Sequence, residues 1–165
     1  MLIAVASLFI FSCKNNYDGP TFTINGTVKN ADGKTLYLSN AGIDGITMLD
    51  SVKLNAEGKF SFKQPQPECY DFFFVTLKGK RPLTIAIDST ETVTLECDAT
   101  TFAESYTIKG SEESVLIKEL TELQEALEKQ VNAMIESKSP AIIKTRNDIY
   151  TLIAEFKRNI TKQYI

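Results

Sequence analysis

The stretch from Ile46 to Lys63 sets the hydrophobic pattern around which the chain is organised. Val52 and Leu54 alternate with polar neighbours, and Phe60 and Phe62 do so again after Asn55-Ala-Glu-Gly58. A period of two belongs to a strand with one buried face, and Asn and Gly tolerate the positive φ of a tight turn. The stretch therefore predicts two strands around a turn, with one apolar face that neighbouring strands must cover. The same alternation predicts a first strand at Phe22, Ile24 and Thr27-Val28, with Gly26 as a bulge inside it. An Asp-Gly hairpin turn over 30–33 leads to a second strand carrying Leu36 and Leu38. Asn40 to Gly45 is a loop with two glycines, and Pro65 and Pro67 mark a linker. Tyr70 to Leu77 is the most apolar segment, too apolar for an exposed strand. Lys78 to Pro82 turns the chain back into strands at Leu83, Ile85, Ile87 and at Val93, Leu95, Cys97, and Tyr106 and Ile108 close the sheet. Short strands with regular turn signals predict a mainly β fold over 21–109, an antiparallel β-sandwich or an open barrel.

After Gly110 the period changes. Ser111 is placed to cap a helix, with Glu112 and Glu113 at the positive end of its dipole. Leu116, Leu120, Leu123, Leu127, Val131 and Met134 follow at spacings of three and four, one apolar face of a long helix. Ser139-Pro140 is a restart signal, and Ile142, Ile149, Ile153, Phe156 and Ile160 line one face of a second helix. The two stripes predict a C-terminal α-helical hairpin over 110–165, packed on itself or on the sheet. No sustained heptad supports a coiled-coil dimer. The chain stops at Ile165 without a helix-ending glycine or proline, the expected look of a fragment with a further domain beyond.

The N-terminus is read apart from the fold. Leu2 to Phe11 is an apolar run of about ten residues, half the length of a membrane-spanning helix and fitting a signal-peptide core. It ends in Ser12-Cys13 and switches at once to Lys14-Asn15-Asn16. An apolar core, a small residue and then cysteine resembles the lipobox of bacterial lipoproteins, although no Lys or Arg precedes the core and Phe11 is bulky for its place. The resemblance implies a signal peptide at 1–12, lipidation of Cys13, and a tether over 13–20; acyl chains bury about 0.8 kcal/mol per methylene. The competing reading is a buried N-terminal strand with Cys13 in the core. No acidic pair follows Cys13, which favours the periplasmic face.

Composition narrows the chemistry. The 165 residues are 43% hydrophobic and 24% charged, with a net charge of -3, a balance that lacks the basic footprint of a nucleic-acid binder. There is no histidine, so every constellation that needs an imidazole base or ligand is excluded. Cys69 and Cys97 have two readings, a disulfide, which an oxidising envelope permits, or two free buried thiols. Bonded, they would close a loop of about 28 residues and contribute roughly 3.5 kcal/mol; neither belongs to a C-x-x-C motif. Asp50 and Ser51 break their strand's alternation and are expected to bond locally to the backbone. Lys78, Lys80 and Arg81 read as a solvated hairpin tip in preference to a phosphate or lipid-headgroup site. An enzyme would need carboxylates at a cleft, from Asp50, Asp71, Asp88, Glu91 and Glu96, and their spacing favours no pair. No cofactor or metal is expected.

Ile24-Asn-Gly26-Thr-Val28, Leu36-Tyr-Leu38, Leu49-Asp50-Ser51-Val52, Gly58-Lys-Phe60-Ser-Phe62 and Lys109-Gly110-Ser111 carry a family likeness in their order and spacing. The chain resembles the N-terminal β domain, of unknown function, of thioredoxin-like (TlpA-type or peroxiredoxin-like) lipoproteins of Bacteroidota. There a lipobox, a β-sandwich and a helical segment precede a thioredoxin fold with C-x-x-C. That fold has no counterpart in these residues, and the family's catalytic residues map to no position here. The resemblance implies a non-catalytic, membrane-anchored envelope module that positions a catalytic domain, dimerises or offers a partner surface. The other reading is a free-standing envelope lipoprotein binding a peptide or glycan at a sandwich edge, at loop 40–45 or at Phe72–Phe74.

Overall fold

The computed structural model describes residues 17–136 and 140–163. In chain order these form strands β1 (Thr21–Lys29), β2 (Thr35–Gly42), β3 (Gly45–Lys53), β4 (Lys59–Pro65), β5 (Asp71–Leu77), β6 (Leu83–Ile87), β7 (Thr92–Asp98) and β8 (Tyr106–Lys109), then helices α1 (Glu112–Glu136) and α2 (Pro140–Gln163). The strands make two four-stranded sheets, β4-β1-β7-β8 and β3-β2-β5-β6. β1 and β7 run parallel, and the other neighbours are antiparallel. The chain is mainly β, a sandwich of two sheets followed by a helical part.

Alternation places the buried residues on the correct face. Phe22, Ile24 and Val28 of β1, Phe60 and Phe62 of β4, and Val93, Leu95 and Cys97 of β7 point inward from one sheet. Leu36, Leu38, Phe73, Val75, Leu77, Leu83, Ile85 and Ile87 meet them from the other. The Phe22 and Phe73 rings touch across the layers with centroids 4.7 Å apart.

The expected loop over 40–45 shrinks to Ile43-Asp44 between paired β2 and β3, and three further expectations are corrected. The strands around Asn55–Gly58 do not pair with each other: β3 pairs with β2, and β4 crosses to the opposite sheet and pairs with β1. The Asp-Gly turn at 30–33 likewise carries the chain between sheets and closes no hairpin. Both turns are corners, and they are tied together. Gly33 N–H donates to the Leu54 carbonyl (2.9 Å), Leu54 N–H to the Lys34 carbonyl (2.8 Å), and Val28 N–H to the Gly58 carbonyl (2.9 Å). Thirdly, Gly26 is not a bulge. It stays in register between Phe60 and Leu95, and glycine is required because a Cβ there would lie 1.7 Å from the Leu95 carbonyl oxygen. The register break falls instead between β2 and β3, where Leu38 faces Asp50 and Ser39 faces Met48, leaving Leu49 as the extra residue.

The Ser111 cap forms as expected: its Oγ accepts the Ser114 N–H at 3.2 Å. The apolar stripe of α1 behaves as expected in part: Val131 is buried and Leu120 and Leu127 are half-buried. α1 lies against β6 and β8: Ser114 bonds to Ala86, Val115 packs on the core, Lys118 sits over the Tyr106 ring, and Glu125 pairs with Arg81 of the β5–β6 turn. Ser114 and Val131 are buried, whereas Leu116, Leu123 and Met134 of the predicted stripe are exposed. The helix docks by hydroxyls, charges, Val115 and Val131 together, leaves Leu120 and Leu127 half-buried, and exposes Leu116 and Leu123. α2 starts at Pro140 and contacts α1; Ile149 and Ile153 are half-buried. The side chains of Ile142, Phe156 and Ile160 lie outside the described residues. So do the expected signal peptide at 1–12, Cys13 and Ser139. The last tether residues are held in place: Tyr17 hydroxyl donates to Gln64 Oε1 (3.0 Å), and the Pro20 carbonyl accepts the Gln66 N–H.

Candidate functional site

Of the five carboxylates considered for a cleft, the fold brings two together. Asp88 and Glu91 share the β6–β7 turn, where Asp88 N–H donates to Glu91 Oε1 at 3.2 Å. Asp71 accepts from Asn40 Nδ2 (2.6 Å) and the Phe72 N–H (2.8 Å). Asp50 accepts the adjacent Ser51 N–H (2.6 Å), the local bonding its type predicts. Glu96 is exposed on β7. Two residues not singled out as site candidates join the first pair. Glu113 projects from the first turn of α1, and Tyr70 hydroxyl donates to its Oε1 at 3.4 Å. A second hydrogen bond, to Asp88, and the negative charges around it push the Tyr70 phenol up to about 12. Partial burial, above all, raises the Glu91 carboxyl above its ordinary value.

This corner borders an open hollow of about 700 Å³ lined by Glu91, Ser111, Glu113 and Leu116. The hydroxyls beside it are committed elsewhere. Ser111 and Ser114 donate to the Ala86 carbonyl (3.1 and 3.0 Å), and the Ala86 N–H donates back to Ser114 Oγ (3.1 Å). These bonds bolt the helix to β6; they do not ready a nucleophile. Among the described residues no group of three acidic or thiol side chains is arranged to hold a metal ion.

Cys69 and Cys97 are free thiols, so the disulfide reading is corrected. Cys97 points into the core from β7, while Cys69 is exposed in the loop before β5. Burial, with Asp98 adding to it, pushes the Cys97 thiol up to about 12, far from the thiolate a redox nucleophile requires. The basic cluster is not wholly solvated. Lys80 Nζ donates to the Thr100 carbonyl (2.7 Å), and Arg81 donates to the Ala103 carbonyl (2.9 Å) and pairs with Glu125 of α1. These cations staple the β5–β6 turn to the β7–β8 loop and the helix.

The surfaces that remain open are apolar. Leu36 and Leu38 of β2 point inward, so Tyr37, Ser39 and Ala41 face out, beside Ile46 and Met48 of β3 and Phe74 of β5. Ile46 and Met48 are 69% and 66% exposed, and Phe72 is 47% exposed. The second open surface is the outward stripe of α1, where Leu116 and Leu123 are 54% and 56% exposed. The segment Tyr70–Leu77, too apolar for an exposed strand, buries Phe73, Val75 and Leu77 and leaves Tyr70 and Phe72 exposed.

The family model described as Domain of unknown function (DUF4369) matches residues 22–116. The chain belongs to this family. The DUF4369 match runs from Phe22 in β1 to Leu116 in the first turn of α1, so it takes in both sheets and the serine bolt on β6. No curated protein matches the chain. Among solved structures, the crystal structure of (S)-allantoin synthase is similar at a TM-score of 0.39 and 12% identity, covering 56% of this chain and 44% of that one. The chain thus spans less than half the length of that protein.

Proposed function

We propose that this chain is the non-catalytic N-terminal module of a lipid-anchored envelope protein, a scaffold that carries a partner domain of the thioredoxin-like kind. The observation that carries the reading is α1, which is bonded to β6 by Ser111 and Ser114 while Leu116 and Leu123 remain more than half exposed. An exposed leucine stripe is costly in water unless another protein surface covers it. A thioredoxin-like domain following the sandwich, as in the lipoproteins this sequence resembles, is the occupant proposed. Thiol–disulfide chemistry would belong to that domain, since the buried Cys97 is held protonated. Cys13 would be the acylated mature N-terminus, on the periplasmic side of the envelope.

The test is metabolic labelling of the native protein with an alkynyl fatty acid, together with reading the coding frame beyond Ile165. The expected result is a label lost on Cys13→Ser and a frame that runs on into a C-x-x-C domain. An unlabelled native protein would remove the anchor, and a stop codon directly after Ile165 would remove the partner domain. The open face of Ile46, Met48 and Phe72 favours a second reading, a free-standing lipoprotein that binds a peptide or glycan. That reading takes first place if the stop codon is found.

A further inference from the structure

Among the described residues the two sheets end in four edge strands, and these are not treated alike. An edge strand displays unpaired N–H and C=O groups, and proteins blunt it with lysine, proline, shortness or cover. β4 carries Lys59 and Lys63 and ends in Pro65. β8 is four residues long and ends in Lys109. β6 is five residues long and lies under α1. β3 has none of these devices along most of its length: nine residues, no proline, and no basic residue before Lys53. The extra residue at Leu49 twists the strand, but Gly45 to Met48 pair continuously with β2 and leave their other edge open. Its side chains are apolar where an edge is usually charged.

We infer that β3 is a self-association edge, through which two copies of this chain join antiparallel about a two-fold axis. The strand's own charges select that partner. Asp44 immediately precedes it and Lys53 ends it. Antiparallel pairing of two copies sets each Asp44 end beside the other copy's Lys53 end, twice by symmetry. Parallel pairing would set like ends together. In that register Met48 of each copy lies opposite Leu49 of the other beside the two-fold axis, and cross-strand contact removes these exposed apolar side chains from water. The result is a continuous eight-stranded sheet with β3 and its copy at the centre.

The experiment is sedimentation velocity on the full chain carrying Cys13→Ser, so that no lipid contributes, across a hundredfold range of concentration. The 18.4 kDa chain is expected to move from monomer to dimer over that range. Met48→Lys places a guard on the edge at an exposed position and is expected to weaken the dimer at least tenfold with an unchanged circular dichroism spectrum. Asp44→Lys and Lys53→Asp should each weaken it, and the two together should restore it. Leu123→Glu, on the helix stripe, should leave it intact. A chain monomeric throughout overturns the inference. So does a dimer that survives Met48→Lys, or one that Leu123→Glu abolishes. None of these outcomes bears on lipidation of Cys13 or on a domain beyond Ile165.

Discussion

The sandwich and the first helix use their apolar residues in opposite ways. Along β1, β4 and β7 nearly every apolar position of the alternation is sealed between the sheets, down to Ile24, Val93 and Leu95 with no exposed surface. Along α1 the apolar stripe is divided: Val131 is buried and Leu120 and Leu127 are half-buried, while Leu116, Leu123 and Met134 stand exposed, and Ser111 and Ser114 bond the helix to β6. A body that buries its own pattern is stable by itself. A helix that leaves Leu116, Leu123 and Met134 in water has apolar surface that its own fold does not use. On the proposed function, the difference separates the sealed core from the surface that would meet a partner domain.

The comparison can be broken hardest from the sandwich side. Gly26→Val is expected to abolish folding, because a Cβ would stand 1.7 Å from the Leu95 carbonyl oxygen at a φ of +153°; loss of the cooperative thermal transition would show it. Phe62→Ala empties a site with 1% exposure and should cost about 3–5 kcal/mol in urea unfolding. Ser114→Ala strands the buried Ala86 N–H and should cost about 1–3 kcal/mol, with α1 amides losing protection from hydrogen exchange before the strands do.

How much of this contrast is legible in the sequence depends on what periodicity encodes. A period of two says which side chains share a face, and so it assigns Phe60, Phe62, Val93 and Leu95 inward correctly. It does not say which strand lies alongside. Asn55–Gly58 and Asn30–Gly33 look like hairpin turns because a corner between sheets needs the same tight backbone, and only the tie between Gly33 and Leu54 distinguishes the two. Gly26 carries a signal with two meanings: a glycine inside a strand marks either a bulge or a close backbone approach, and here it is the approach of β7. For α1 the stripe is legible and its direction is not. The serines that decide it bond to Ala86, some twenty-eight residues back in the chain, and no local pattern reports that contact. Glu113 reads as a dipole acid and Tyr70 as an apolar strand residue, so their meeting near Asp88 has no sequence signal at all.

A smaller effect sharpens the sandwich's closure. The Cys97 thiol and the Tyr106 phenol, both raised by burial, go from ordinary values of 9.0 and 10.0 to about 12. The folded state therefore holds these protons more tightly than the unfolded chain does. Their contribution to stability is complete below about pH 9 and is lost as pH rises from there towards 12. Urea midpoints measured across that range should fall, and a Cys97→Ala variant should fall less steeply. Cys69, exposed in its loop, should react with a thiol reagent in the native protein while the buried Cys97 reacts only on unfolding.

The smallest change expected is the most telling. Replacing Leu116 and Leu123 together by glutamate removes two large apolar side chains, and in a buried stripe that would cost several kcal/mol. Thermal unfolding of this double variant, followed by near-ultraviolet dichroism of the tyrosines, tests directly whether the stripe belongs to the fold or to a partner. A melting temperature within about 2 °C of the parent is predicted, since exposed substitutions stay near ±0.5 kcal/mol. A fall of about 8 °C or more would mean that the leucines are core after all and that the helix has no face to offer.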